Sequence, residues 1–146
     1  MRLGHLRSYP LALAIALLAA LSGCDSSGVG RLVPVRGKVT LDGQPLTTGS
    51  LVYMPSAEKG NTSNYEPAAT INADGTYQLF TAQRDGAPIG WYKVWVVAQA
   101  PADDKNPYAP TKSLIPARYA EPGTSKLEIE VVNRPSEGAY DLKLSK

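Results

Sequence analysis

Ala69-Thr70-Ile71-Asn72-Ala73-Asp74-Gly75-Thr76-Tyr77-Gln78-Leu79 carries the pattern of a β-hairpin. A short extended run, Ala69 to Ala73, leads into Asp74-Gly75. Beyond it Tyr77 and Leu79 alternate with Thr76 and Gln78. Asp-Gly tolerates the left-handed backbone that a tight reversal needs, so two extended runs joined by it are a strong local hairpin signal. Alternation with period two places Tyr77 and Leu79 on one face, as a half-buried strand requires.

The same period extends outward in both directions. Upstream, Val33, Val35, Val39 and Leu41 alternate with Arg36, Lys38, Thr40 and Asp42, and Asp42-Gly43 supplies a second turn. Leu51 to Met54 is apolar on both faces and stops at Pro55, and the polar residues 56–66 are expected to be a loop. Downstream, Asp85-Gly86-Ala87-Pro88 turns the chain into Trp91 to Ala98, a central strand with two bulky faces. Residues 99–112 hold Pro101, Pro107 and Pro110 without periodicity, which predicts a long loop. Leu127, Ile129 and Val131 alternate with charged residues, as do Tyr140, Leu142 and Leu144 with polar ones. Past Cys24 the only helical expectation is one turn in Ile115 to Ala120. About seven short strands separated by turn residues predict an all-β, seven-stranded Greek-key β-sandwich over residues 33–146.

The start of the chain follows different rules. Arg2 and Arg7 precede Leu11 to Leu21, an apolar run of Leu, Ala and one Ile. A span needs about 20 such residues, so this run is too short to cross a bilayer and fits the apolar part of a secretory signal over residues 1–23. Leu21-Ser22-Gly23-Cys24 then resembles the lipobox of bacterial lipoproteins. The resemblance implies cleavage before Cys24 and attachment of a diacylglycerol and an N-acyl chain such as palmitate to it. Residues 24–32, including Asp25-Ser-Ser-Gly-Val-Gly30, are expected to be a lipidated Cys and a flexible tether. Asp25 after the lipidated Cys resembles an inner-membrane retention signal of some two-membraned bacteria; the leaflet stays open, and the expected place is the extracytoplasmic cell envelope.

Removing the signal changes the charge balance. The whole chain has 15 Lys and Arg against 13 Asp and Glu. Arg2 and Arg7 leave with the signal, so the remainder carries equal numbers of each sign. No basic patch remains to recruit nucleic acid. His5 is the only histidine and Cys24 the only cysteine, so the exported domain has no histidine and, once acylated, no thiol. Disulfides, His-ligated metals and Cys or His catalysis are thereby excluded, and no Gly-x-Ser-x-Gly motif is present. The expectation is a protein that is not an enzyme and has no cofactor or metal. Asp103-Asp104, Asp42, Asp74 and Asp85 are spread over separate turns, which suits turn formation better than a calcium loop.

Three segments together carry a family resemblance. Val35-Arg-Gly-Lys-Val-Thr-Leu-Asp-Gly-Gln-Pro-Leu46, Asp74-Gly-Thr-Tyr-Gln-Leu79 and Gly86-Ala-Pro-Ile-Gly-Trp-Tyr-Lys-Val94 look like the opening hairpin, the central hairpin and the following strand of carboxypeptidase regulatory-like domains. Ile115-Pro116-Ala117-Arg118-Tyr119 and the last strand are similar to small lipoproteins carrying that domain. The resemblance spans about residues 33–146 and implies a transthyretin-like, Ig-like sandwich; it implies no particular activity, because such folds host unrelated functions.

Trp91, Lys93 and Trp95 share one face of their strand, opposite Tyr92, Val94 and Val96. If the second set is core, both indole rings project from the other face with Lys93 between them. Tyr108 and Tyr119 are candidate additions to that surface. The alternative is that loop 99–112 folds back and buries the rings. Three readings follow: an envelope module contacting a protein or glycan, a purely structural envelope lipoprotein, and a carbohydrate-binding accessory module using Trp91 and Trp95. The membrane, through the lipid, is a partner in all three.

Mass spectrometry of the mature N-terminal peptide is expected to show an acylated Cys24, and Cys24→Ala to release the protein from membranes. Two chains hold stably where one gives marginal binding. A cleaved but unmodified Cys24 would refute the anchor.

Overall fold

The computed structural model describes residues 28–102, 105–106 and 110–146. The expected signal peptide, Cys24 and the start of the tether lie outside these residues, as do Asp103, Asp104 and Tyr108. The described residues form an all-β, sandwich-like fold. Its strands are β1 (Arg36–Leu41), β2 (Gln44–Pro45), β3 (Ser50–Pro55), β4 (Ala68–Thr70), β5 (Thr76–Gln78), β6 (Phe80–Thr81), β7 (Arg84–Asp85), β8 (Gly90–Val97), β9 (Leu127–Val131) and β10 (Leu142–Leu144). One sheet has the order β7-β6-β4-β3-β8-β9. In the other, β1 pairs with β10, β2 and β5. Among the described strands only β1 and β10 pair in parallel.

The Asp74-Gly75 hairpin joins the two sheets. Ala68 pairs with Phe80 and Ile71 bridges Tyr77, which is one continuous register. On its other side the returning strand pairs first with β1, Tyr77 opposite Gly37, and then with β7, Phe80 opposite Asp85. Its alternate residues Tyr77, Leu79 and Thr81 are all buried. Chain reversal here depends on Gly75 at φ 83°, and on the Asp74 carboxylate, which accepts from the Thr76 backbone N–H at 2.9 Å and its hydroxyl at 2.6 Å.

Three short strands, β2, β6 and β7, depart from the seven-strand expectation. β2 follows from Asp42-Gly43: both residues have positive φ, 49° and 82°, as a two-residue type I′ loop demands. β6 and β7 are joined by Ala82 and Gln83, also at positive φ, 47° and 67°. Neither residue type signals a turn, so the sequence conceals this hairpin. Holding two such residues left-handed costs about 1–3 kcal/mol each.

The core is a single cluster drawn from both sheets, with Val35, Val39, Leu51, Tyr53, Leu79, Tyr92, Val94, Val96 and Val131 wholly buried. Three tyrosine rings meet at its centre: Tyr53 lies 6.5 Å from Tyr77 and 5.7 Å from Tyr92, both tilted. The Tyr77 hydroxyl donates to the Tyr140 carbonyl at 2.5 Å. Its single proton is thus committed, so the Tyr53 hydroxyl, 2.7 Å away, donates to it. Burial pushes both phenols well above their ordinary pKa. Gly37 lets the Tyr140 carbonyl close in: a Cβ there would stand 2.3 Å from that oxygen and 2.9 Å from the Tyr77 ring.

The residues just before β1 lie against the domain. Val29 is 6% exposed, Gly28 lies against the Tyr65 hydroxyl, Arg84 reaches the Gly30 carbonyl at 3.5 Å, and Val33 bridges Ala87. From Gly28 onward the chain is docked on the domain. Glycines at 28 and 30, which suggest slack in sequence, take φ of 62° and 71° that route it there.

Tyr77→Phe is expected to cost about 2–3 kcal/mol, since it strands a buried carbonyl and removes the acceptor of Tyr53. Tyr53→Phe is expected to cost less, because the Tyr77–Tyr140 bond survives. Urea melts of the two variants check the order; equal losses would show that the chain of donors does not run this way.

Candidate functional site

β8 divides its side chains as its alternation demands. Tyr92, Val94 and Val96 are buried, whereas Trp91, Lys93, Trp95 and Val97 are half-buried on the outer face. The two tryptophans are thus neither fully exposed nor sealed in the core. Cross-strand register identifies their neighbours. Trp95 stands opposite Val52 of β3, Lys93 between Met54 and Glu128, and Trp91 opposite Glu130 of β9.

Half of this face is occupied by the chain itself. A 3-10 turn, Ala57–Lys59, lies over β8 and β9. Its Lys59 ammonium sits 4.0 Å above the centre of a Trp91 ring and pairs with Glu128 at 2.6 Å. Its Glu58 pairs with Lys93 at 2.8 Å, and that hydrogen bond and charge hold the Glu58 carboxyl below its usual pKa. The loop holding this turn is pinned from beneath: buried Asn61 donates to the Trp91 carbonyl at 2.9 Å and accepts from the Ser63 N–H. Glu58 and Lys59, both still in contact with solvent, complement the charges of the sheet. Nothing in the local sequence locates this, because the partners are set by how loop 56–66 folds back.

The other half is open. Register mates run across four strands as Phe80, Ala68, Val52 and Trp95. Phe80 is 45% exposed, the largest such value of any aromatic ring among the described core-forming strands, and Ala68 is exposed between it and Val52. Beside this row the small side chains of Ser50, Ala68 and Thr70 leave an open groove of about 520 Å³, with Asn72, Gln78 and Phe80 at its margin. Phe80 to Trp95 covers three strand spacings, about 14 Å. Arg36 closes the Gln78 end, bonding Gln78 at 3.1 Å and Asp85 at 3.2 Å.

The remaining candidates separate. Tyr119 does not join the surface and that expectation is corrected: it is 6% exposed, in the 3-10 turn Ala117–Ala120, and its hydroxyl accepts from the Ser145 N–H at 3.1 Å. Packing of that turn against β8 draws the ring inward while Arg118 covers its outer side at 4.8 Å. Tyr108 and Cys24 lie outside the described residues. Among the described residues no group of His, Cys, Asp and Glu is arranged to hold a metal. Phe80 was not anticipated as a site residue; its exposure depends on the concealed Ala82-Gln83 turn.

No protein-family model matches the chain, and neither a curated protein nor a solved structure is detectably similar to it.

Lys59→Ala is expected to uncover Trp91, giving a red-shifted emission and stronger acrylamide quenching, with a stability loss of about 0.5–1 kcal/mol. Trp95 contributes the unchanged remainder of the signal. The Glu58–Lys93 contact is present above the ordinary carboxylate pKa of about 4.3 and is lost as pH falls through the lowered value. An emission spectrum indifferent to Lys59→Ala would show that the turn does not cover the ring.

Proposed function

We propose that this protein is a lipid-anchored, non-catalytic module of the cell envelope that holds an extended glycan across the outer face of its larger sheet. The observation that carries the reading is the Phe80–Ala68–Val52–Trp95 row beside its polar groove. Two aromatic side chains separated by a floor of small side chains suit a chain of rings: the flat apolar planes stack, and Ser50, Thr70, Asn72 and Gln78 offer hydroxyl and amide partners to sugar hydroxyls. The Trp91 end, by contrast, is filled by Lys59, so the pairing that serves a ligand is Trp95 with Phe80 rather than Trp95 with Trp91.

Backbone strain adds support. Ala82 and Gln83 hold the hairpin that presents Phe80, and costly backbone of this kind persists where the surrounding structure needs the geometry. The anchor rests on Leu21-Ser22-Gly23-Cys24. The assignment of the domain to the carboxypeptidase regulatory-like, transthyretin-like group, with Greek-key connections, rests on its two hairpin motifs, the strand motif after them and the two-sheet arrangement.

Residues 25–146, made without the lipid, are expected to retain a subset of glycans on an array. Phe80→Ala and Trp95→Ala should each weaken that binding by about 2 kcal/mol or more. Phe80→Ala should change stability by under about 1 kcal/mol, since nearly half of the residue is in solvent and it lies outside the buried core. Trp91→Ala should leave binding intact. An array without any retained saccharide, or binding indifferent to both Phe80→Ala and Trp95→Ala, would overturn the glycan reading.

A further inference from the structure

The docked segment after Cys24 carries an orientation. Val29 is buried against the domain, Gly28 lies beside the Tyr65 hydroxyl, and Gly28, Val29, Thr62, Asn64, Tyr65 and Pro88 share one groove. All of these belong to a single end of the sandwich, where loop 56–66 meets the start of β8. Only four residue steps separate Cys24 from Gly28. Fully stretched, they reach about 14 Å at most. The opposite end is defined by Gly49, Ser50 and Val97, since Ser50 pairs with Val97 at the finish of β8. The eight residues of β8 put about 23 Å between the two ends.

We propose that the 62–65 and 88–89 end of the domain rests on the bilayer that holds the Cys24 acyl chains, so that β8 points away from the membrane. The proposal rests on the lipid-anchor reading above. Its occupant is the lipid surface itself, chosen because the reach of the chain is shorter than the domain is long. Ile89 fits that contact: it follows Pro88 of the groove and is 46% exposed, an apolar side chain turned to the outside at the membrane-proximal end. The outer face with Phe80 and Trp95 then stands roughly upright, beside the bilayer rather than against it, and open to a partner arriving along the surface.

The single native cysteine makes a direct test possible, because acylation leaves no free thiol. Ile89→Cys and Thr48→Cys, each in the full-length protein purified with its lipid, are labelled with an environment-sensitive thiol probe. They are then reconstituted into vesicles of phosphatidylethanolamine and phosphatidylglycerol. The probe at position 89 is expected to brighten, shift to the blue and be quenched by brominated lipid, and the probe at position 48 to do none of these. Inserting about twelve Gly and Ser residues after Ser26 adds roughly 20 Å of mean reach without touching the docked segment. It should reduce the signal at position 89 while the protein still floats with vesicles. Like behaviour at positions 89 and 48, or a signal at 89 indifferent to the insertion, overturns the orientation. An N-terminal peptide without acyl mass, and protein that does not float, overturns the anchor instead, so the two failures are told apart.

Discussion

A single proton holds the two sheets in register. The Tyr77 hydroxyl commits it to the Tyr140 carbonyl, and the Tyr53 hydroxyl then has one acceptor left to find. Tyr53 comes from the six-stranded sheet, Tyr77 from the strand that pairs with β1, and Tyr140 from the approach to β10. Tyr140 continues the series, its own hydroxyl within 3.2–3.3 Å of the backbone of Val132 just past β9. Buried polar groups are expensive unless paired, so this series tolerates little displacement of one sheet over the other. Gly37 completes the arrangement by giving the Tyr140 carbonyl the room to approach.

From that fixed core the outer face of the larger sheet inherits its geometry. Burial of Tyr92, Val94 and Val96 forces Trp91, Lys93 and Trp95 outward, and the register with β3, β4 and β6 aligns Trp95 with Phe80. The face is then apportioned between the protein's own loop and solvent. Lys59 over Trp91, with the Glu58–Lys93 and Lys59–Glu128 pairs, covers one end. Exposed pairs of this kind contribute little to stability, and their effect is positional: they tie that loop to β8 and β9.

Much of the fold is legible in the sequence because the turns use residues suited to them. Asp42-Gly43 and Asp74-Gly75 announce their hairpins, and the period-two runs place Val35, Val39, Tyr77, Leu79, Tyr92 and Val94 inside. The Ala82-Gln83 turn is illegible because its conformation is imposed by the strands it joins, and Phe80 is concealed with it. Loop 56–66 is also illegible: a polar stretch with turn residues predicts a loop, but its seat over β8 depends on Asn61 finding the Trp91 carbonyl, a long-range match. Tyr119 shows the same limit from the other side. An aromatic residue in a Pro-flanked segment is equally suited to surface or core, and only the packing of the 3-10 turn on β8 decides. The course of residues 28–33 is illegible for a related reason, since Gly28 and Gly30 permit docking as readily as slack.

Among the described residues β9 ends the larger sheet, so one side of it is a sheet edge. Such an edge invites a second copy to add on, and proteins crowded on a surface meet edge to edge far more often than they do in bulk solution. Leu127-Glu128-Ile129-Glu130-Val131 answers this through its solvent-facing positions. Two copies brought together antiparallel at this strand would set Glu128 and Glu130 of one against the same carboxylates of the other, and like charges directly opposed are repulsive. The pattern that makes β9 readable as a strand therefore also works against a continuous sheet between neighbouring molecules.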